Sequence, residues 1–323
     1  MAGRRRKKSG GRSYAWRYRG RIVACVFVEV IIICALVIMI GWNKGVKEWF
    51  EQFEQPVLKE VDISGINSPN AILMQARGGK ILGEINGEAQ IYPASMTKIM
   101  TVILGIENFD DLDEKITLTN EMFTGLYEQD ATQAGFQPGE EVRVIDLLYG
   151  AMLPSGAECC IALADTISGS EADFAELMNK KARKLGMENT HFCDSTGLHN
   201  PDHYSTVKDI AVLMKYCIKN DTFREIVETS RHSTGVTNIH PDGITYYSTM
   251  FKNLSDPTVT GGKILGGKTG YTSEAGHCLV SFAEIEGREY IFVSAGASGA
   301  DGNTIPHIQD AVTVYNRVGA AIE

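Results

Sequence analysis

The sequence predicts an α/β domain in which an antiparallel sheet is flanked by helices and joined by a helical subdomain, carried behind a single N-terminal transmembrane helix. Three observations point there. Strand-like segments gather at the two ends of residues 70–323, helix-spaced segments fill the middle, and a long apolar run follows a strongly basic head. Strands at both ends around a helical middle imply a sheet assembled from both termini with helices on its faces. With 323 residues and 44% hydrophobic content, the chain has material for a sizeable core, which excludes disorder of the whole.

From the N-terminus, residues 1–21 carry Arg4, Arg5, Arg6, Lys7, Lys8, Arg12, Arg17, Arg19 and Arg21 and no acid. Residues 22–40 are apolar with Glu29 as the one charge, and Gly41 and Trp42 extend the run to the roughly 20 residues a spanning helix needs. The positive-inside rule puts the basic head in the cytoplasm, with Trp42 and Trp49 at the far interface. Residues 22–42 are therefore expected to be an uncleaved anchor. A secretory signal peptide is the alternative, but the run is long and Gly41-Trp42-Asn43 is not a small-x-small cleavage site. Beside a spanning helix, the basic head is explained by topology and anionic lipid, so no nucleic-acid partner is expected.

Residues 43–69 read as a stalk and residues 70–323 as the globular domain. Residues 71–76, the turn Arg77-Gly78-Gly79 and residues 80–85 predict a hairpin, closed by the turn dipeptide Asn86-Gly87. A helix should follow Pro93. Apolar spacing predicts helices over 144–152, 158–166 and 172–185, broken at Pro154 and at Ser168-Gly169-Ser170, and another over 206–218. Residues 263–268, 277–285 and 290–295 read as strands, the last two joined by Glu286-Gly287-Arg288, with a final helix over 308–322. Of seven cysteines, Cys25 and Cys34 fall in the apolar run. Cys159, Cys160, Cys193, Cys217 and Cys278 are odd in number and unlike zinc spacing, so buried thiols are expected rather than a disulfide framework.

Three short motifs carry the chemistry: Ser95-Met96-Thr97-Lys98, Ser155-Gly156-Ala157 and Lys268-Thr269-Gly270. On a helix, positions i and i+3 share a face, which brings the Ser95 hydroxyl to the Lys98 amine. A serine hydroxyl is a poor nucleophile until a base takes its proton, and a lysine serves once burial or a nearby cation lowers its pKa. Lys268 on a strand is expected to supply that like charge. Near a helix start the Ser95 backbone N–H suits an oxyanion, and Gly270 lets a substrate backbone approach the strand closely. Ser-x-x-Lys alone is weak, because Ser205-Thr206-Val207-Lys208 matches it too; there Ser205 is expected to cap the helix that follows. His199 and His203 are four apart, but Gly197 and Pro201 oppose a helix, so no metal is expected. Asp194 and Asp202 are read as loop hydrogen-bonders, and the vicinal Cys159 and Cys160 as packing residues.

The three motifs fit the signature of penicillin-binding proteins and serine β-lactamases, the middle one in part. Together with Pro93-Ala94 before Ser95, Leu153-Pro154 before Ser155, Gly197-Leu198-His199, His203-Tyr204-Ser205-Thr206 and Tyr271-Thr272 after Gly270, the chain resembles the low-molecular-mass penicillin-binding D-alanyl-D-alanine carboxypeptidases over residues 70–300. The resemblance implies a β-lactamase/transpeptidase-like domain on the outer face of a bacterial cell membrane. Its substrate would be the peptidoglycan stem peptide, its covalent inhibitors β-lactams, and no cofactor is implied. Ser95 would be the acylated nucleophile, Lys98 its base and Ser155 a proton relay. Lys268, Thr269, Gly270 and Tyr271 would bind substrate, with the backbone N–H groups of Ser95 and Tyr271 forming the oxyanion hole. Two departures stand out: Ala157 replaces the usual asparagine, and Ser298-Gly299-Ala300-Asp301-Gly302 lacks the basic residue many relatives carry there. A serine β-lactamase is the nearest rival, although Glu176 has Lys180 rather than asparagine at the expected offset. A catalytically degraded wall-binding sensor is the rival that Ala157 suggests.

Overall fold

The stretch Asn70–Gln75 (β1) is apolar at four successive positions and buried at all four, the pattern of a strand covered on both faces. Its hairpin partner Ile81–Ile85 (β2) is less buried, as an edge strand should be. A computed structural model describes residue 58, residues 60–299 and residues 305–322. Within them, β1 and β2 join Thr258–Val259 (β7), Gly262–Thr272 (β8), Gly276–Ile285 (β9) and Arg288–Ala297 (β10) in a sheet of order β2-β1-β10-β9-β8-β7. Every pairing is antiparallel. Ile72 pairs with Val293, so the sheet closes from both ends of the domain, as the sequence pattern implies.

Alternation of side chains across the strands divides the core in two. Ile72, Met74, Val280, Phe282 and Val293 face a large cluster that includes Lys98–Asn108 (α1). Leu73, Leu279, Tyr290 and Phe292 face a smaller one under the last helix. The helical middle runs Val144–Met152 (α2), Ala157–Ser168 (α3), Glu171–Leu185 (α4), Val207–Cys217 (α5) and Asp221–Glu228 (α6). A short helix Thr249–Asn253 (α7) precedes β7, and Pro306–Ile322 (α8) closes the chain against β9 and β10. Two three-residue ladders went unforeseen, Lys115–Thr117 (β3) with Glu141–Arg143 (β4), and Arg231–Ser233 (β5) with Thr245–Tyr247 (β6).

Two expectations are corrected. Residues 60–69, read as the end of a stalk, belong to the domain: Val61 donates its N–H to the Leu82 carbonyl at 2.7 Å, and Val61 and Ile63 are buried. Their alternation with Glu60 and Asp62 is the period of a half-buried extended segment, too short to stand out. Ser205 does not cap α5. Thr206 does, accepting the Asp209 N–H at 3.0 Å, while the Ser205 hydroxyl is buried against Thr190. The expected anchor, residues 22–42, lies outside the described residues; among those described, no helix is long and apolar enough to cross a membrane.

Candidate active site

Ala94 adopts a positive φ of 47°, which turns the chain from Pro93 into a single 3₁₀ turn, Ala94–Thr97, that runs directly into α1. Ser95 sits on that turn and Lys98 begins the helix, so one face presents both side chains. The Lys98 Nζ donates to Ser95 Oγ at 3.1 Å and to the Thr196 carbonyl at 2.6 Å. Ser155 comes from the connection between α2 and α3, where its φ of 75° is a strained value for a residue with a Cβ. That strain aims its hydroxyl at Ser95, to which it donates at 2.9 Å. From β8, the buried Lys268 donates to Ser155 Oγ at 3.0 Å and to the Thr269 carbonyl at 2.9 Å.

The four groups form one row: Lys98, Ser95, Ser155, Lys268. Burial, reinforced by the charge of Lys98, holds the Lys268 ammonium well below the usual lysine range. Gly270 brings β8 against the nucleophile turn, since a Cβ there would stand 3.0 Å from the Ser95 backbone nitrogen. Thr269 Oγ1 hydrogen-bonds Thr249 Oγ1 at 2.6 Å, and Tyr271 is exposed. These side chains border a cleft of about 710 Å³ that includes Ser95, Ser155, Thr249, Thr269, Gly270 and Tyr271.

A loop behind Ser95 holds Lys98 in place. Asp194 Oδ1 accepts from the Thr196 N–H, the Thr196 hydroxyl and the Gly197 N–H, each at 2.7 Å. Burial alone would raise the Asp194 pKa, but hydrogen bonds from His203 and Thr196 outweigh it and bring it to about 2. Buried His203 links this carboxylate to Thr97 Oγ1, at 3.2 and 2.9 Å. Gly197 has a φ of 79°, and a Cβ there would fall 1.9 Å from the Ala94 carbonyl oxygen. Glu171 anchors the same loop through Ser195, by 2.6 and 3.0 Å bonds. Sequence reasoning missed Thr249 and the Thr196 carbonyl, one remote from the motifs and the other a backbone group.

Ala157 is buried at the start of α3, and its N–H donates to the Thr132 carbonyl. With no polar side chain at 157, the bonds of Lys98 go to Ser95 and Thr196. His199 diverges from His203, packing edge-on against Tyr92 and lying 3.9 Å from Glu274. Among the described residues, no group of three or more histidine, cysteine, aspartate or glutamate side chains is placed to hold a metal ion. Cys159 and Cys160 are buried in α3, where burial pushes both thiols up, Cys160 to about 12.

A serine flanked by two lysines and a second serine, between an antiparallel sheet and a helical subdomain, defines a serine acyl-enzyme protein of the penicillin-binding class. The family model for D-alanyl-D-alanine carboxypeptidase matches residues 57–299, and the chain belongs to that family. It is 35% identical over 233 residues to D-alanyl-D-alanine carboxypeptidase DacF of Bacillus subtilis, covering 71% of this chain and 57% of that one. It is also 35% identical over 236 residues to the D-alanyl-D-alanine carboxypeptidase of Streptomyces sp. (strain K15), covering 71% and 78%. The crystal structure of the DD-transpeptidase from that Streptomyces superposes with a TM-score of 0.71 at 29% identity, covering 80% of this chain and 100% of that one. The chain spans less than three fifths of the length of the Bacillus relative and of DacC of Escherichia coli, 57% and 58%.

Proposed function

We propose that the protein is a serine-type D-Ala-D-Ala carboxypeptidase that trims peptidoglycan stem pentapeptides outside the membrane, to which residues 22–42 anchor it. The observation that carries this reading is the hydrogen-bonded row Lys98, Ser95, Ser155, Lys268 opening on the cleft. Lys98 takes the Ser95 proton as Oγ attacks the carbonyl of the penultimate D-alanine. The oxyanion is met by the backbone N–H groups of Ser95 and Tyr271. As the C–N bond breaks, Ser155 hands a proton to the leaving amine and is resupplied from the lysines. Water then attacks the ester on Ser95, and the shortened stem leaves as a carboxylic acid. A β-lactam acylates the same hydroxyl.

Benzylpenicillin labelling, followed by D-alanine release from a pentapeptide ending in D-Ala-D-Ala, tests the reading. A long-lived adduct on Ser95 together with D-alanine release is the expected result, and Ser95→Ala abolishes both. Rapid turnover of the adduct points instead to a β-lactamase, and an adduct mapped to Ser205 overturns the assignment.

A further inference from the structure

The acyl-transfer scheme leaves one arrangement in the cleft unused. His277, the second residue of β9, is in register with Tyr271 on one side and Ala297 on the other. Directly paired residues share a face of a sheet, and so do positions two apart along a strand, so His277 lies on the face that carries Thr269. His307, at the second position of α8, stacks on it with 5.0 Å between ring centroids and 6° between planes. Both rings line the cleft that contains Ser95 and Thr269.

Among the described residues no carboxylate ion-pairs with either ring, and the charge of Asp310 only partly offsets the downward pKa shift at His307. Asp310, one turn further along α8, is taken up by Asn67 and Ser68, accepting from both backbone N–H groups and both side chains at 2.6–2.9 Å. The Tyr271 ring also packs against His277, with 4.7 Å between centroids. His307 Nδ1 is buried without a hydrogen-bond partner among the described residues, a state that ordinarily marks a missing ligand or a neighbour held for some other purpose. The other basic side chains near Ser95 are engaged. Lys268 bonds Ser155 and the Thr269 carbonyl, Lys98 bonds Ser95 and Thr196, and His199 faces Glu274. Burial, with the neighbouring His277, drives the His307 pKa down to about 4.

A peptide with a free C-terminus brings a carboxylate into this cleft, and Thr269 offers it only a neutral hydroxyl. We propose that His277 and Thr269 together receive the terminal carboxylate of the substrate, with His307 as the positioning residue that fixes the His277 ring by stacking. The proposal rests on the carboxypeptidase reading for its substrate and assigns the preference for a free α-carboxylate to His277 and Thr269 on neighbouring strands, with the ring of His277 held by a residue 30 positions further along the sequence. The N-terminus of the 17-residue α8 adds a partial positive charge on the same side.

The test compares the full-length protein with its His277→Gln and His277→Arg variants on an acylated L-Lys-D-Ala-D-Ala peptide and its C-terminal carboxamide. His277→Gln should lower the carboxylate-over-carboxamide preference in kcat/KM by at least ~10-fold, mainly through KM, as expected for loss of a charge-assisted hydrogen bond. His277→Arg should retain the preference and show that the fold survives substitution there. His307→Gln should lower the preference less. D-alanine release with the preference unchanged in His277→Gln overturns the proposal while leaving the carboxypeptidase reading intact. If the unaltered protein releases no D-alanine, that reading fails, and calorimetric binding of the two peptides to Ser95→Ala protein decides the proposal by itself. Tighter binding of the carboxylate, lost on adding His277→Gln, supports it; equal binding of the two peptides overturns it.

Discussion

Gly197 carries a burden that its neighbours cannot share. Its positive φ and its contact with the Ala94 carbonyl leave no room for a Cβ, and the Thr196 carbonyl that holds Lys98 is the adjacent backbone group. Gly197→Ala must therefore move either the nucleophile turn or the lysine. A displacement of 1 Å at a reacting centre is enough to cost about 100-fold in rate. The acylation rate of Ser95 by benzylpenicillin should fall by about that factor while far-ultraviolet circular dichroism stays native; an unchanged rate would refute the coupling. The sequence disclosed the motif residues because their chemistry is local: Ser95 and Lys98 are one turn apart, and Lys268-Thr269-Gly270 is a contiguous run. Of the loop behind them it disclosed Asp194 as a hydrogen-bonder, but not the grip on Lys98, because Thr196 holds it through a backbone carbonyl. Nor did it disclose the His277–His307 stack, since nothing in either residue's neighbourhood signals the other.

At the scale of elements, hydrophobic spacing was a good guide wherever an element is long enough to repeat it. The helix expected over 144–152 is α2 to the residue, β9 begins one residue early, and β8 and β10 run four and two residues beyond their expected ends. The ladders β3–β4 and β5–β6 are three residues to a strand, shorter than two periods of alternation, and so leave no pattern to read. The misplaced cap on α5 has a different origin. Ser205 and Thr206 are both good capping residues, and burial of Ser205 against Thr190 leaves the task to Thr206. Thr206→Ala should cost about 1 kcal/mol in denaturant unfolding and Thr206→Ser little, since serine caps as well as threonine. Equal stability of the alanine variant and the unaltered protein would show that the cap contributes nothing.

The whole domain depends on residues that the sequence pattern assigned to a stalk. Val61 and Ile63 pack in the smaller core, and Asn67 and Ser68 supply the hydrogen bonds that satisfy Asp310. Burying each of the two side chains is worth about 1.5–3 kcal/mol, and their removal also leaves Asp310, 1% exposed, without those donors. A soluble fragment starting at residue 58 should therefore exceed one starting at residue 70 by at least ~3 kcal/mol in urea unfolding. Indistinguishable midpoints would return residues 58–69 to the stalk. The antiparallel sheet has a further consequence, in time rather than in energy. Of the sheet, β1 and β2 are synthesised first, yet β1 finds its second neighbour only when β10 arrives, after α1 to α7 and β8 and β9 have been made. Contacts so distant along the chain are slow to form, and an unpaired strand edge invites other partners while it waits. If the chain is threaded outward through a membrane, its leading hairpin must wait with one edge open until nearly all of the polypeptide has crossed, and the nucleophile turn gains the β8 wall beside it only late in that passage.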